Sequence, residues 1–118
     1  MKNYKELEVW QKGMDLTVQL YEITMAFPAE EKFGLVSQIR RAASSIPANI
    51  AEGWGRGSTK EYIQFLRVAR ASLMELETHL ILASRLGYIK ADALESLQTE
   101  VEILGKKINS LIQSLLRK

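Results

Sequence analysis

Apolar residues along this chain recur at helical spacing in four runs. From residue 62, Tyr62, Leu66, Ala69, Leu73, Leu76, Leu80 and Ala83 step alternately by four and three, an uninterrupted heptad seam. Leu94, Leu97, Val101, Leu104, Ile108, Leu111 and Leu115 repeat the pattern nearer the C-terminus. Two earlier runs are looser: Val9, Leu16, Leu20, Ile23 and Phe27, closed by Pro28, then Leu35, Ile39, Ala43, Ile46, Ile50 and Trp54. The spacing predicts helices over 6–27, 31–54, 58–86 and 91–117. Pro47 falls inside the second and removes one backbone donor, so a kink near Ala43 and Ser44, or a break into two short helices, is expected.

The punctuation between the runs agrees with them. Gly53, Gly55 and Gly57 alternate through the connection from the second helix to the third, where residues without a Cβ allow sharp reversal. Ser58 followed by Glu61 reads as a capping box that starts the third helix, and Gly87 as the cap that ends it. Heptad seams pack at small crossing angles, and short connections make sequential helices antiparallel neighbours. The expected fold is all-α, an up-down-up-down left-handed four-helix bundle forming one domain over 1–118.

Some apolar positions exceed what one seam requires. Trp10, Met14 and Tyr21 form a second stripe on the first helix, and Ile63, Met74 and Ile81 lie roughly 90–110° from the seam of the third, at about 100° per residue. They belong either to a wide core stripe or to a subunit interface, because contiguous exposed apolar surface marks association.

Composition narrows the classes. In 118 residues, 25% are charged and the net charge is only +2, so the distribution of charge says more than its total. Residues 32–70 carry seven basic and two acidic side chains, whereas residues 71–102 carry two basic and six acidic. Charges in the first and fourth helices find local partners, such as Glu8 with Lys12 and Glu102 with Lys106. Arg40, Arg41, Lys60, Arg67 and Arg70 have no acidic residue three or four positions away. With Arg56 in the turn, they form a candidate RNA- or DNA-binding set, since arginine forks match phosphate oxygens. The competing reading pairs them with acids such as Glu75 and Glu77 on a neighbouring helix or subunit. Zero cysteine excludes disulfides and thiolate chemistry, and no apolar run reaches 18 residues. A cytoplasmic protein without membrane contact is expected.

Enzyme signatures are missing. The stretch from Gly53 to Lys60 resembles a phosphate cradle superficially but lacks the G-x-x-x-x-G-K-[ST] order, and no strand precedes it. His79, the only histidine, stands four residues after Glu75 and reads as one half of a surface ion pair. Ser44 and Ser45 are expected to bond back to helix carbonyls. Asn49 and Glu52 flank the apolar face beside Ile46 and Ile50, making a candidate buried polar network at the turn or a polar site near an oligomer axis. No catalytic residue, metal or cofactor is expected.

The polar residues embedded in these helices carry a resemblance. Leu7, Val9, Trp10 and Gln11; then Gln38, Arg40, Arg41, Ala42, Ala43, Ser45, Ile46, Asn49, Ile50, Ala51, Glu52 and Gly53; then Ala69, Ser72, Leu73, Glu75, Leu76 and Glu77 follow a recurring pattern. The chain resembles the bacterial four-helix-bundle proteins called 23S rRNA intervening-sequence proteins. That resemblance implies a closed homo-oligomer, commonly a pentamer, and a similar bundle serves as the nucleic-acid-binding accessory protein of diversity-generating retroelements. The family name records where the genes were noticed and does not establish rRNA binding; no enzymatic activity travels with it.

Overall fold

Asn3 opens the first helical turn: its side-chain oxygen accepts from the Lys5 N–H at 2.8 Å and caps a 3-10 turn over Tyr4–Glu6. Four α-helices follow in the computed structural model, which describes residues 3–118: α1 (Glu8–Thr24), α2 (Leu35–Gly55), α3 (Thr59–Arg85) and α4 (Ala91–Leu116). No strand occurs among the described residues, and none of their helices is long and apolar enough to cross a membrane. The body measures 46 × 23 × 20 Å. Its long axis is thus one helix long, since the 27 residues of α3 rise about 40 Å.

Two helix ends move from their expected places, for local reasons. After Thr24 the amides of Met25, Ala26 and Phe27 bond three residues back rather than four, so α1 tightens and stops before Phe27. The second helix starts at Leu35, not at residue 31. Glu31 closes a 3-10 turn (Ala29–Glu31), and its Oε1 accepts from the Leu35 N–H at 3.1 Å, capping α2 from outside. Its Oε2 accepts from the Tyr88 hydroxyl at 3.1 Å, and the Tyr88 and Phe27 rings lie 5.4 Å apart. The α1–α2 and α3–α4 connections are thereby tied together.

The other ends follow the sequence closely. The Ser58 hydroxyl accepts from the Glu61 N–H at 3.3 Å and starts α3. At its finish Gly87 adopts φ +85°, with Gly87 N–H bonded to Ser84 O and Tyr88 N–H to Ala83 O, the paired bonds of a Schellman motif.

Leu20, Ile39, Ile46, Ile50, Leu66, Leu76, Leu80 and Ile108 are sealed from solvent at the centre. Small residues let α2 and α3 approach closely: Ala42, Ala43 and Gly53 on one side, Ala69 and Ser72 on the other, all buried. A Cβ placed on Gly53 would lie 2.7 Å from the Phe65 Cβ, inside contact distance. Helix α2 runs without a break through Pro47, whose ring is buried against α1. Gly13 makes room for it there, a Cβ at that position falling 3.2 Å from Pro47 Cδ. Ile63, expected on an outer stripe, is only 7% exposed and belongs to the core of the single chain. It sits near the start of α3 within the single chain's hydrophobic core, so no second subunit is needed to cover it.

Candidate nucleic-acid interface

The basic residues of α2 and α3 do not gather into one patch. Fifteen positions separate Arg41 on α2 from Arg56 just past its end, about 22 Å along the axis. Arg40 is committed within the chain. Its Nε donates to the Thr24 hydroxyl at 2.9 Å, its Nη2 donates to the Tyr21 carbonyl at 3.1 Å, and its guanidinium carbon sits 4.4 Å from the Tyr21 ring centroid. It satisfies one of the C-terminal carbonyls of α1, where a cation also complements the helix dipole. Arg41 is exposed and donates to the Gln38 side chain at 3.2 Å.

At the turn end, Arg56 lies 3.8 Å from Glu52 and 4.9 Å from the Phe65 ring centroid. Lys60 and Arg67, on one exposed ridge of α3, have no ion-pair or hydrogen-bond partner among the described residues. Arg70 is half-buried and donates to Asn109 of α4. It borders a groove where it and Lys106 balance the charge of Glu77 and Glu102. Of the candidate set, Arg41, Lys60 and Arg67 are therefore the cations most open to an anionic ligand.

The polar network beside the α2–α3 contact differs in membership from the expected pair. Asn49 reaches back to Ser45, its Nδ2 donating to the backbone oxygen at 2.7 Å and the hydroxyl at 2.9 Å, and Ser45 shares a 2.8 Å hydrogen bond with buried Ser72 of α3. Glu52 is not part of it. Three residues further along α2 its carboxylate turns outward, 53% exposed, toward Arg56. Ser45 and Ser72 were the missing members, and their signal was two small hydroxyls at seam-adjacent positions of two helices.

Trp10 is half-buried with its ring edge-on to Tyr4, centroids 5.5 Å apart. Met14 and Tyr21 are exposed, and Val18 and Met25 extend them into a stripe stepping by four, three and four along the outer face of α1. That spacing was present in the sequence. On α3, Met74 is exposed and Ile81 half-buried. Among the described residues, the large apolar side chain most open to solvent is that of Phe33, 89% exposed on the turn before α2.

Two tyrosines have displaced ionisation. Burial raises the Tyr62 phenol above its usual 10.0, and its hydroxyl has no hydrogen-bond partner among the described residues. Tyr88 is raised first by its hydrogen bond to Glu31, then by its surroundings. His79 lies 3.5 Å from Glu75, and the described residues contain no group of three or more histidine, aspartate or glutamate side chains placed to hold a metal ion.

Residues 5–110 match the family model described as 23S rRNA-intervening sequence protein. Among solved structures, the chain is similar to a protein of unknown function from the S23 ribosomal protein family of Bacteroides thetaiotaomicron. The two share 29% identity over 89% of this chain and 95% of that one, with a TM-score of 0.82. No curated protein matches.

Proposed function

The chain belongs to the 23S rRNA-intervening sequence protein family, and from that premise we propose that it is a non-enzymatic, cytoplasmic bundle protein that forms a closed homo-oligomer and binds RNA or DNA through exposed cations of α2 and α3. The observation that carries the nucleic-acid reading is the pair Lys60 and Arg67, exposed on one ridge with no described partner. Intersubunit repetition would multiply that ridge and Arg41 into an extended positive field, which attracts polyanions.

An up-down-up-down arrangement is supported by pairs whose numbers run in opposite directions: Gly13 with Pro47 and Thr24 with Arg40, Ser45 with Ser72 and Gly53 with Phe65, Arg70 with Asn109 and Glu77 with Gln98; a left-handed sense is supported by the heptad seams of α3 and α4. Assembly, with five subunits expected, is supported by the stripe of Met14, Val18, Tyr21 and Met25, which a monomer leaves wet. The same stripe supports a second reading, a protein-interaction scaffold that binds no nucleic acid.

Titration with structured RNA, single strands and duplex DNA at several salt concentrations separates the two. Under the first reading, Lys60→Gln with Arg67→Gln weakens binding to many sequences alike and flattens the slope of log affinity against log salt on duplex DNA by about 0.9 per lost contact. A wild-type protein that binds no nucleic acid at low salt leaves the scaffold.

A further inference from the structure

Where α1 ends and α2 begins, an open groove of about 440 Å³ runs across the surface. Its lining is unusual in composition: the aromatic rings of Tyr21 and Phe33, the cations Lys32, Arg40 and Arg41, the hydroxyls Ser37 and Ser44, and no carboxylate. The nearest acid on the same turn, Glu31, has both oxygens occupied by the Leu35 N–H and the Tyr88 hydroxyl. Neither oxygen is directed at a cation of the groove, and no carboxylate of the lining forms an ion pair with Lys32, Arg40 or Arg41.

Phe33 is displayed by a braced segment. The amides of Glu31, Lys32 and Gly34 each bond to the carbonyl three residues earlier, at 2.9, 3.1 and 3.1 Å, and Glu31 ties the same turn to α2 and to the α3–α4 connection. An aromatic ring held on a fixed turn at 89% exposure loses little freedom on binding, and burying its faces is favourable. Lys32 Nζ lies 5.4 Å from that ring, and Arg40 is seated over Tyr21 at 4.4 Å, so each ring has a cation beside it. Planar rings interleaved with phosphate-matching cations are what a flexible strand of unpaired nucleotides requires. A duplex offers the cations its phosphates but keeps the faces of its bases stacked on one another.

We propose that this groove holds a single-stranded segment of nucleic acid, with one unpaired base stacked on Phe33 and the adjoining phosphates held by Lys32, Arg41 and the flanking hydroxyls. The inference rests on the nucleic-acid reading above and names the strand state that the protein selects.

The test uses the full chain, with labelled oligo(dT), oligo(U) and a blunt duplex, fluorescence anisotropy as readout, and oligomer mass measured in parallel. Phe33 is on the surface, so Phe33→Ala folds normally. It weakens both oligonucleotides roughly ten- to a hundred-fold, leaves the duplex within about twofold, and is rescued by Phe33→Trp. Lys32→Gln flattens the salt slope on single strands by about 0.7. Comparing oligo(dT) with oligo(U) distinguishes DNA from RNA as the strand held.

Loss of affinity that is equal for oligonucleotide and duplex overturns the proposal, as does an unchanged oligonucleotide affinity. A change in oligomer mass on Phe33→Ala also overturns it and assigns the ring to a contact between copies. If the wild type binds duplex in a manner dependent on Lys60 and Arg67 while Phe33 is without effect, only this inference falls. If it binds no nucleic acid, both fall.

Discussion

Along the α2–α3 contact the side chains shrink until backbones nearly touch, with Gly53 against Phe65 and a hydroxyl pair, Ser45 and Ser72, bridging the two helices. Along the α1–α4 contact they lengthen and ionise. Lys107 reaches Glu8 at 3.1 Å, Lys12, Asp15 and Glu100 border a cleft above Leu16 and Leu104, and Ile103 remains exposed at its edge. Dispersion at close range is insensitive to salt, whereas an exposed ion pair loses most of its small contribution to screening. The bundle thus has one tightly packed seam and one loose one, and local opening is expected to begin between α1 and α4.

Several changes test that contrast, in falling order of effect. Leu66→Ala, at a fully buried position of α3, is expected to cost about 2–5 kcal/mol in denaturant unfolding. Gly53→Ala should cost about 1–3 kcal/mol, because the new methyl meets Phe65 and Tyr62, and a neutral result would mean that α2 and α3 can part more easily than their geometry implies. Ser72→Ala removes one partner of Ser45, which keeps Asn49, and should cost about 1 kcal/mol. On the loose seam, Lys107→Gln should cost under about 1 kcal/mol, and nothing measurable at high salt.

The smallest effect at neutral pH belongs to Tyr62→Phe. Folding raises the Tyr62 phenol above its unfolded value of 10.0, so the stabilisation is complete below pH 10 and is lost as pH climbs through the folded value. Removing an unpartnered hydroxyl should leave stability at pH 7 unchanged within about 0.5 kcal/mol and make the protein more resistant to alkaline unfolding. Melting curves at pH 7 and above pH 10 on the two proteins check both halves.

Much of this architecture was legible because heptad spacing reports burial directly. From Leu66 to Ala83 every seam position of α3 is buried, and on α4 Leu97, Val101, Leu104, Ile108 and Leu115 follow. The start of α2 was not legible, since its cap is the side chain of Glu31 and a glutamate four residues before a helix carries no distinctive signal. In the sequence Arg40 reads as free because no acid stands one turn away from it. Its partners are a hydroxyl and a carbonyl sixteen and nineteen residues distant, and neither is acidic. Glu52 reads as part of the network from its place beside Ile50, but two positions along a helix turn it by about 200°, and its carboxylate faces outward toward Arg56.

The notch at Gly13 also indexes one helix against another. The Pro47 ring occupies a gap that only a missing side chain provides, so sliding α1 by one turn, about 5.4 Å, would bring Val9 or Thr17 onto the ring instead. An apolar stripe by itself tolerates such a slip, because one aliphatic side chain is replaced by another. A proline paired with a glycine does not, and it sets a single alignment for two helices whose apolar pattern would accept several.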